Sequence, residues 1–147
     1  MDYSVQQLHN NVNKAIIKCR GVYSAWSKKH NISYNRMLVI YTIREYGYCC
    51  QKQMCDNYLL PRQTMNNVIT AMRNEGLLSV SDAYTKGREK AFVLTPKGIE
   101  YSKPFLDSIN TFEQTAAEKM GIEKILAMTE LVMEYDRVLA ESLEETL

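Results

Sequence analysis

Residues 61–74 read Pro61-Arg62-Gln63-Thr64-Met65-Asn66-Asn67-Val68-Ile69-Thr70-Ala71-Met72-Arg73-Asn74. On a helical wheel Met65, Val68, Ile69 and Met72 fall on one face, at steps of three and four. Gln63, Asn66, Asn67, Thr70 and Asn74 fall on another, with Thr64 and Arg73 beside them. This second face is polar and nearly uncharged. Solvated helix faces ordinarily take Glu and Lys, which have better helix propensity than Asn or Thr. Amide side chains can bond adenine edges bidentately, and Thr can meet a thymine methyl. A plain polar surface helix is the competing reading, and the flanking segments weigh against it.

Upstream, residues 50–58 read as a short helix, joined to 61–74 by the tight Leu59-Leu60-Pro61 connection. Pro61 suits the first helical position, and Gly76 suits a left-handed helix stop. An earlier helix is predicted from an N-cap at Ser33 to about Tyr46, ended by Gly47, with Met37, Ile40, Tyr41 and Ile43 on its buried face. Downstream, 77–82 and 90–94 read as strands around the basic turn Tyr84-Thr85-Lys86-Gly87-Arg88. Two helices around a tight turn match a helix-turn-helix, whose second helix enters the major groove. Gln63, Thr64, Asn66, Asn67 and Thr70 are then the base-reading candidates. Arg62, Arg73, Lys86, Arg88 and Lys90 are candidates for phosphate or the minor groove, with Gly87 letting the tip turn tightly. The dominance of Asn and Gln predicts A·T-rich half-sites.

Long helices flank this centre. Residues 4–29 carry Val5, Leu8, Val12, Ala15, Ile16, Cys19, Val22, Tyr23 and Trp26 at helical steps. Thr95-Pro96 opens a helix in which Pro104 predicts a kink or break, and Gly121 interrupts the pattern before a last helix from about 122 to 143. The apolar stripe of that last helix is too wide for burial on one side, which points to a symmetric dimer. Cys19 is expected in the core.

The 147 residues suit one domain, with 46% apolar and 24% charged residues. Net charge is +1, but unevenly spread. Residues 1–32 hold five Lys/Arg against one Asp, 33–103 ten against six acids, and 104–147 three against ten. A basic centre suits a polyanion, and an acidic end faces elsewhere. No apolar run reaches the ~18 residues of a membrane span, and the start at residues 1–7 lacks the layout of a leader. The expected location is therefore cytoplasmic, with no membrane partner. The four Cys are expected as thiols, and with His9 and His30 they show no metal-ligand spacing. Glycine-rich phosphate loops, paired-His motifs and nucleophile elbows are absent from the sequence. An enzyme is not expected, nor a cofactor.

The sequence resembles the MarR family of winged-helix transcription regulators. Ile32-Ser33-Tyr34, Gln51-Lys52-Gln53-Met54, 61–69, Asn74-Glu75-Gly76-Leu77-Leu78, Arg88-Glu89-Lys90 and Val93-Leu94-Thr95-Pro96-Lys97-Gly98 carry the likeness in order and spacing. The resemblance implies a mainly α fold with a small β-hairpin wing: a winged helix-turn-helix flanked by terminal dimerisation helices. It implies one domain over 1–147, with 33–103 binding DNA and 1–32 and 104–147 pairing subunits. It further implies a homodimer on a palindromic operator, most simply a repressor, released by a small apolar or aromatic effector or by an oxidant. One departure stands out. The family usually has an Asp two residues before the wing Arg, where this chain has Lys86; Asp82 and Glu89 remain as partners for Arg88.

Tyr23, Trp26, Tyr34, Tyr41 and Tyr46 are candidates for an effector crevice, with ordinary packing as the alternative. Cys49, Cys50 and Cys55 cluster as a redox candidate, with small buried side chains as the alternative. A winged helix that binds a protein instead of DNA is the other class of function.

Overall fold

The computed structural model describes residues 3–147. Met1 and Asp2, the start of the stretch read for leader character, lie outside the described residues. The described chain divides into two compact units, one reaching to Leu106 and the other Asp107–Leu147.

In the first unit, α1 (Val5–Lys29) begins with a reciprocal cap in which the Gln7 N–H donates to Ser4 Oγ at 3.2 Å and the Ser4 N–H to Gln7 Oε1 at 3.1 Å. Its buried residues are Trp26 and Ser27, at its carboxyl end. Cys19 is exposed, contrary to the expectation of a core position, because its own chain covers little of this helix. Next comes α2 (Tyr34–Tyr46), where the Arg36 N–H donates to the predicted cap Ser33 Oγ at 3.1 Å and Gly47 closes the helix as expected. Met37, Leu38, Val39, Ile40 and Ile43 are buried, while Tyr41 is only half-buried.

A two-residue strand that the sequence did not suggest, β1 (Cys49–Cys50), precedes α3 (Gln51–Tyr58). Leu59 takes a left-handed backbone with φ 51°, which makes the turn into α4 (Arg62–Asn74). Pro61 lies one position ahead of the helix rather than at its first residue, and its carbonyl accepts from the Met65 N–H at 3.2 Å. Met65, Ile69 and Met72 are buried as predicted. Each such side chain stabilises the fold by roughly 1.5–3 kcal/mol, so α4 is held on α2 and α3 by its apolar face.

The hairpin is β2 (Leu78–Lys86) and β3 (Glu89–Leu94), in an antiparallel sheet ordered β1-β3-β2. β1 pairs Cys49 with Phe92 and Cys50 with Ala91, which anchors the wing to the start of α3. Lys86 pairs with Glu89 across Gly87 and Arg88. Gly87 has φ 59° and Arg88 does not share the positive angle, the pattern of a type II′ turn with Gly first.

α5 (Pro96–Met120) opens on the predicted cap, the Gly98 N–H donating to Thr95 Oγ1 at 3.0 Å. A Cβ at Gly98 would lie 2.0 Å from the Leu77 carbonyl oxygen, so a side chain there would force the wing's base away. Of the kink or break expected at Pro104, the break does not occur: α5 runs through that residue as one helix. Pro104 is exposed, so its ring crowds solvent rather than packed side chains.

In the second unit, Gly121 separates α5 from α6 (Ile122–Thr146), which continues past the predicted end at 143. None of its residues is buried. Ile122 is 68% exposed, Leu131 65% and Met133 67%, values that mark an apolar face its own chain leaves uncovered. No described helix is long and apolar enough to cross a membrane.

Candidate nucleic-acid interface

Burial of Met65, Ile69 and Met72 turns the opposite side of α4 outward, leaving Gln63, Asn66, Asn67, Thr70 and Arg73 exposed and Thr64 half-buried. Two amide pairs stiffen that face. Gln63 Nε2 donates to Asn67 Oδ1 at 2.9 Å, and Gln51 Nε2, from α3, donates to Asn66 Oδ1 at 2.9 Å. With Oδ1 engaged, Asn66 keeps both N–H bonds for an incoming acceptor. Helical spacing does not single out Gln51 as a site residue, because its contact across the turn is tertiary.

A groove of about 200 Å³ runs between α4 and the wing, with Arg62, Asn66, Thr70, Arg73, Arg88 and Lys90 all on its walls. Six of the candidates separated by up to 28 positions in the chain thus share one surface. Gln51, Ile69, Glu89 and Phe92 complete the lining. The Arg73 guanidinium lies 5.5 Å from the Phe92 ring centroid, which steadies a long side chain at the groove's floor. Lys86 and Gly87 stand outside the groove at the exposed wing tip, and Gln63, Thr64 and Asn67 lie nearer the start of α4.

Neither suggested partner of Arg88 is used: among the described residues, Arg88 makes no ion pair. Glu89 instead turns toward the helix-turn-helix. Its Oε1 accepts from the Lys52 N–H at 2.8 Å, and its Oε2 lies 3.5 Å from Arg62 Nη2.

The far end of α4 is fastened separately. Arg36 Nη1 donates to Glu75 Oε1 at 3.0 Å and to the Tyr101 hydroxyl at 3.3 Å, while Arg36 Nη2 pairs with Glu75 Oε2. The hydrogen bond from Arg36 holds the Glu75 carboxyl below the usual carboxylate range, and the same bond raises the Arg36 guanidinium. Lys97 Nζ donates to the Glu75 carbonyl at 2.8 Å, setting a cation at the helix's negative end.

The remaining candidates scatter. Trp26 is buried and stacks on His30, with ring centroids 4.2 Å apart, and its Nε1 has no hydrogen-bond partner among the described residues. Tyr23, Tyr34 and Tyr41 are half-buried and Tyr46 is exposed. The Arg44 guanidinium stands 4.1 Å from the Tyr41 centroid. Burial raises the Tyr58 hydroxyl, and nearby Glu45, Tyr34 and Tyr46 add to the shift. Cys49 is fully buried, and burial pushes its thiol up to about 12, with Cys50 adding, so it is not a ready thiolate. Cys50 and Cys55 are half-buried. Among the described residues, no group of three or more His, Cys, Asp or Glu could hold a metal ion.

The sequence matches no family model and no curated protein. The fold is more telling. A MarR family regulator from Neisseria meningitidis superposes with a TM-score of 0.84 at 21% identity, covering 94% of this chain and 97% of that one. NadR in complex with 4-hydroxyphenylacetate gives 0.72 at 18% identity, covering 84% and 91%. Staphylococcus aureus MarR in complex with salicylate and kanamycin gives 0.66 at 18%, covering 91% and 93%. From its capped first helix to its wing and its two closing helices, this chain has the winged helix-turn-helix fold of the MarR regulators.

Proposed function

We propose that the chain is a sequence-specific DNA-binding transcription regulator that works in the cytoplasm as a homodimeric repressor on a palindromic, A·T-rich operator. One observation carries this reading. The amides and hydroxyls of α4 stand exposed beside a groove walled by Arg62, Arg73, Arg88 and Lys90. Such a helix fits the major groove, about 12 Å wide, while the cations meet phosphates on either side. The uncovered apolar side of α6 supports pairing with a second copy. Two-fold pairing would set two copies of α4 on half-sites roughly 34–36 Å apart. In this reading a small aromatic acid releases the DNA, in keeping with the 4-hydroxyphenylacetate and salicylate bound by NadR and S. aureus MarR.

Selection of bound duplexes from a random pool, at stated salt, tests the proposal. A palindromic A·T-rich consensus with one-turn spacing is the expected result. Retention of duplex without any consensus would leave only a basic surface, and no retention would favour a protein partner.

A further inference from the structure

Glu89 is the single acid on the walls of an otherwise cationic groove. In a groove built for phosphate a carboxylate is a liability, because it repels the ligand. Both of its oxygens are nevertheless engaged. Oε1 accepts from the Lys52 N–H, in the first turn of α3, and Oε2 faces Arg62, the first residue of α4. Neither helix has an acidic residue in its own first turn. One carboxylate from β3 therefore supplies the negative charge that the start of α3 lacks and also reaches the first side chain of α4.

The wing tip needs such a tether. Ser81 pairs with Ala91 and Lys86 with Glu89, so four residues of β2 bulge opposite Lys90 alone. Regular pairing between the tip and the base of the hairpin is broken there, and Thr85 Oγ1 bridges the gap by donating to the Ser81 carbonyl at 2.6 Å and accepting from the Ala91 N–H at 3.1 Å. Glu89 stands on the tip side of that break.

We propose that Glu89 is a positioning residue that ties the wing tip to both helices of the helix-turn-helix, fixing how far Arg88 and Lys90 stand from Asn66 and Thr70. This rests on the DNA-binding reading above. The sign of the effect separates positioning from charge. Removing an acid from a phosphate-facing groove strengthens binding if charge alone acts, whereas loss of a tether weakens it.

The test uses the full chain, a duplex that the wild-type protein selects from a random pool, and a scrambled duplex of the same composition. Glu89→Ala should bind the selected duplex about tenfold more weakly, the size of one lost hydrogen bond to a charged group, with no such loss on the scrambled one. Adding Arg88→Ala should then cost little further. Hydrogen exchange of the free variant should quicken at the Lys52 amide and across the wing tip. Tighter binding of Glu89→Ala to both duplexes, or unchanged exchange at Lys52, overturns the proposal. If Glu89→Ala does not fold, Glu89→Gln keeps an acceptor for the Lys52 N–H but drops the pair with Arg62, and should bind the selected duplex more weakly by a smaller factor. Tighter binding of Glu89→Gln to both duplexes also overturns the proposal. Should the wild-type chain select no duplex, the DNA reading fails by itself, and the exchange measurement still decides whether the tether exists.

Discussion

Arg36 and Glu75 meet through two guanidinium–carboxylate contacts across 39 positions of the chain, joining the start of α2 to the end of α4. The Arg36 side chain is 20% exposed and the Glu75 side chain 49%, so solvent screens the pair in part. A bidentate pair of this exposure is worth up to about 1 kcal/mol. Its place matters more than its size, because it fastens the end of α4 to the start of α2.

Glu75→Gln should therefore lower stability by about 1 kcal/mol at pH 7. The folded-state value of Glu75 is depressed. Its contribution is thus complete above the unfolded carboxylate value of about 4.3 and is lost as pH falls through the lower folded value. Urea unfolding of both proteins should show the gap at pH 7 and its closure on acidification. A gap that stays constant down to pH 2 would mean that the charge of Glu75 plays no part.

Arg88 is exposed on the groove wall and, among the described residues, has no ion pair to break in meeting a phosphate. Arg88→Ala should flatten the slope of log affinity against log salt by about 0.9, the counterion term of one phosphate contact per subunit. A titration series at several salt concentrations reads this directly. An unchanged slope removes Arg88 from the phosphate contacts.

Asn66 faces outward with its oxygen held by Gln51. Asn66→Ala should cost about 1–3 kcal/mol per reading event on the selected duplex and far less on a scrambled one. Gln51→Ala should produce a weaker version of the same loss, because the Asn66 amide would then be free to turn over. Equal losses on both duplexes would show that Asn66 grips the backbone and reads no base.

Cysteine chemistry should follow exposure. Cys19 is exposed and Cys49 is fully buried with a raised thiol value. Mild alkylation at pH 8 should label Cys19 in the native protein and reach Cys49 only after unfolding. Cys49→Ser should cost about 1–3 kcal/mol, since it buries a hydroxyl where Phe92 and Ala91 close the sheet. Peroxide that leaves DNA affinity unchanged would retire the oxidant reading for Cys50 and Cys55 as well.

Much of the fold could be read because its signals are local. Ser33, Gly47 and Thr95 act as caps where short-range chemistry says they should, and the periodicity of Met65, Ile69 and Met72 already separates the two sides of α4. What escaped is tertiary. β1 is two residues long, too short for any periodic signal, and exists because Phe92 and Ala91 offer it an edge. At Pro104, where a kink or break was expected, the helix is not broken, because local penalty yields where the ring can point to solvent. For the candidate site, residue types on α4 and at the wing were legible, but Gln51 and Glu89 were not. Both act across turns, on partners 15 and 37 positions away.

A 25-residue helix from which its own chain buries nothing has a consequence for how the molecule lives. Local backbone bonds alone leave α6 close to the balance between order and unravelling. If a second copy covers that face, as proposed above, its persistence depends on how many copies share the solution, and dilution should loosen the acidic end before the first unit. Protease nicking that begins between residues 122 and 146 and deepens as the protein is diluted would be the visible sign.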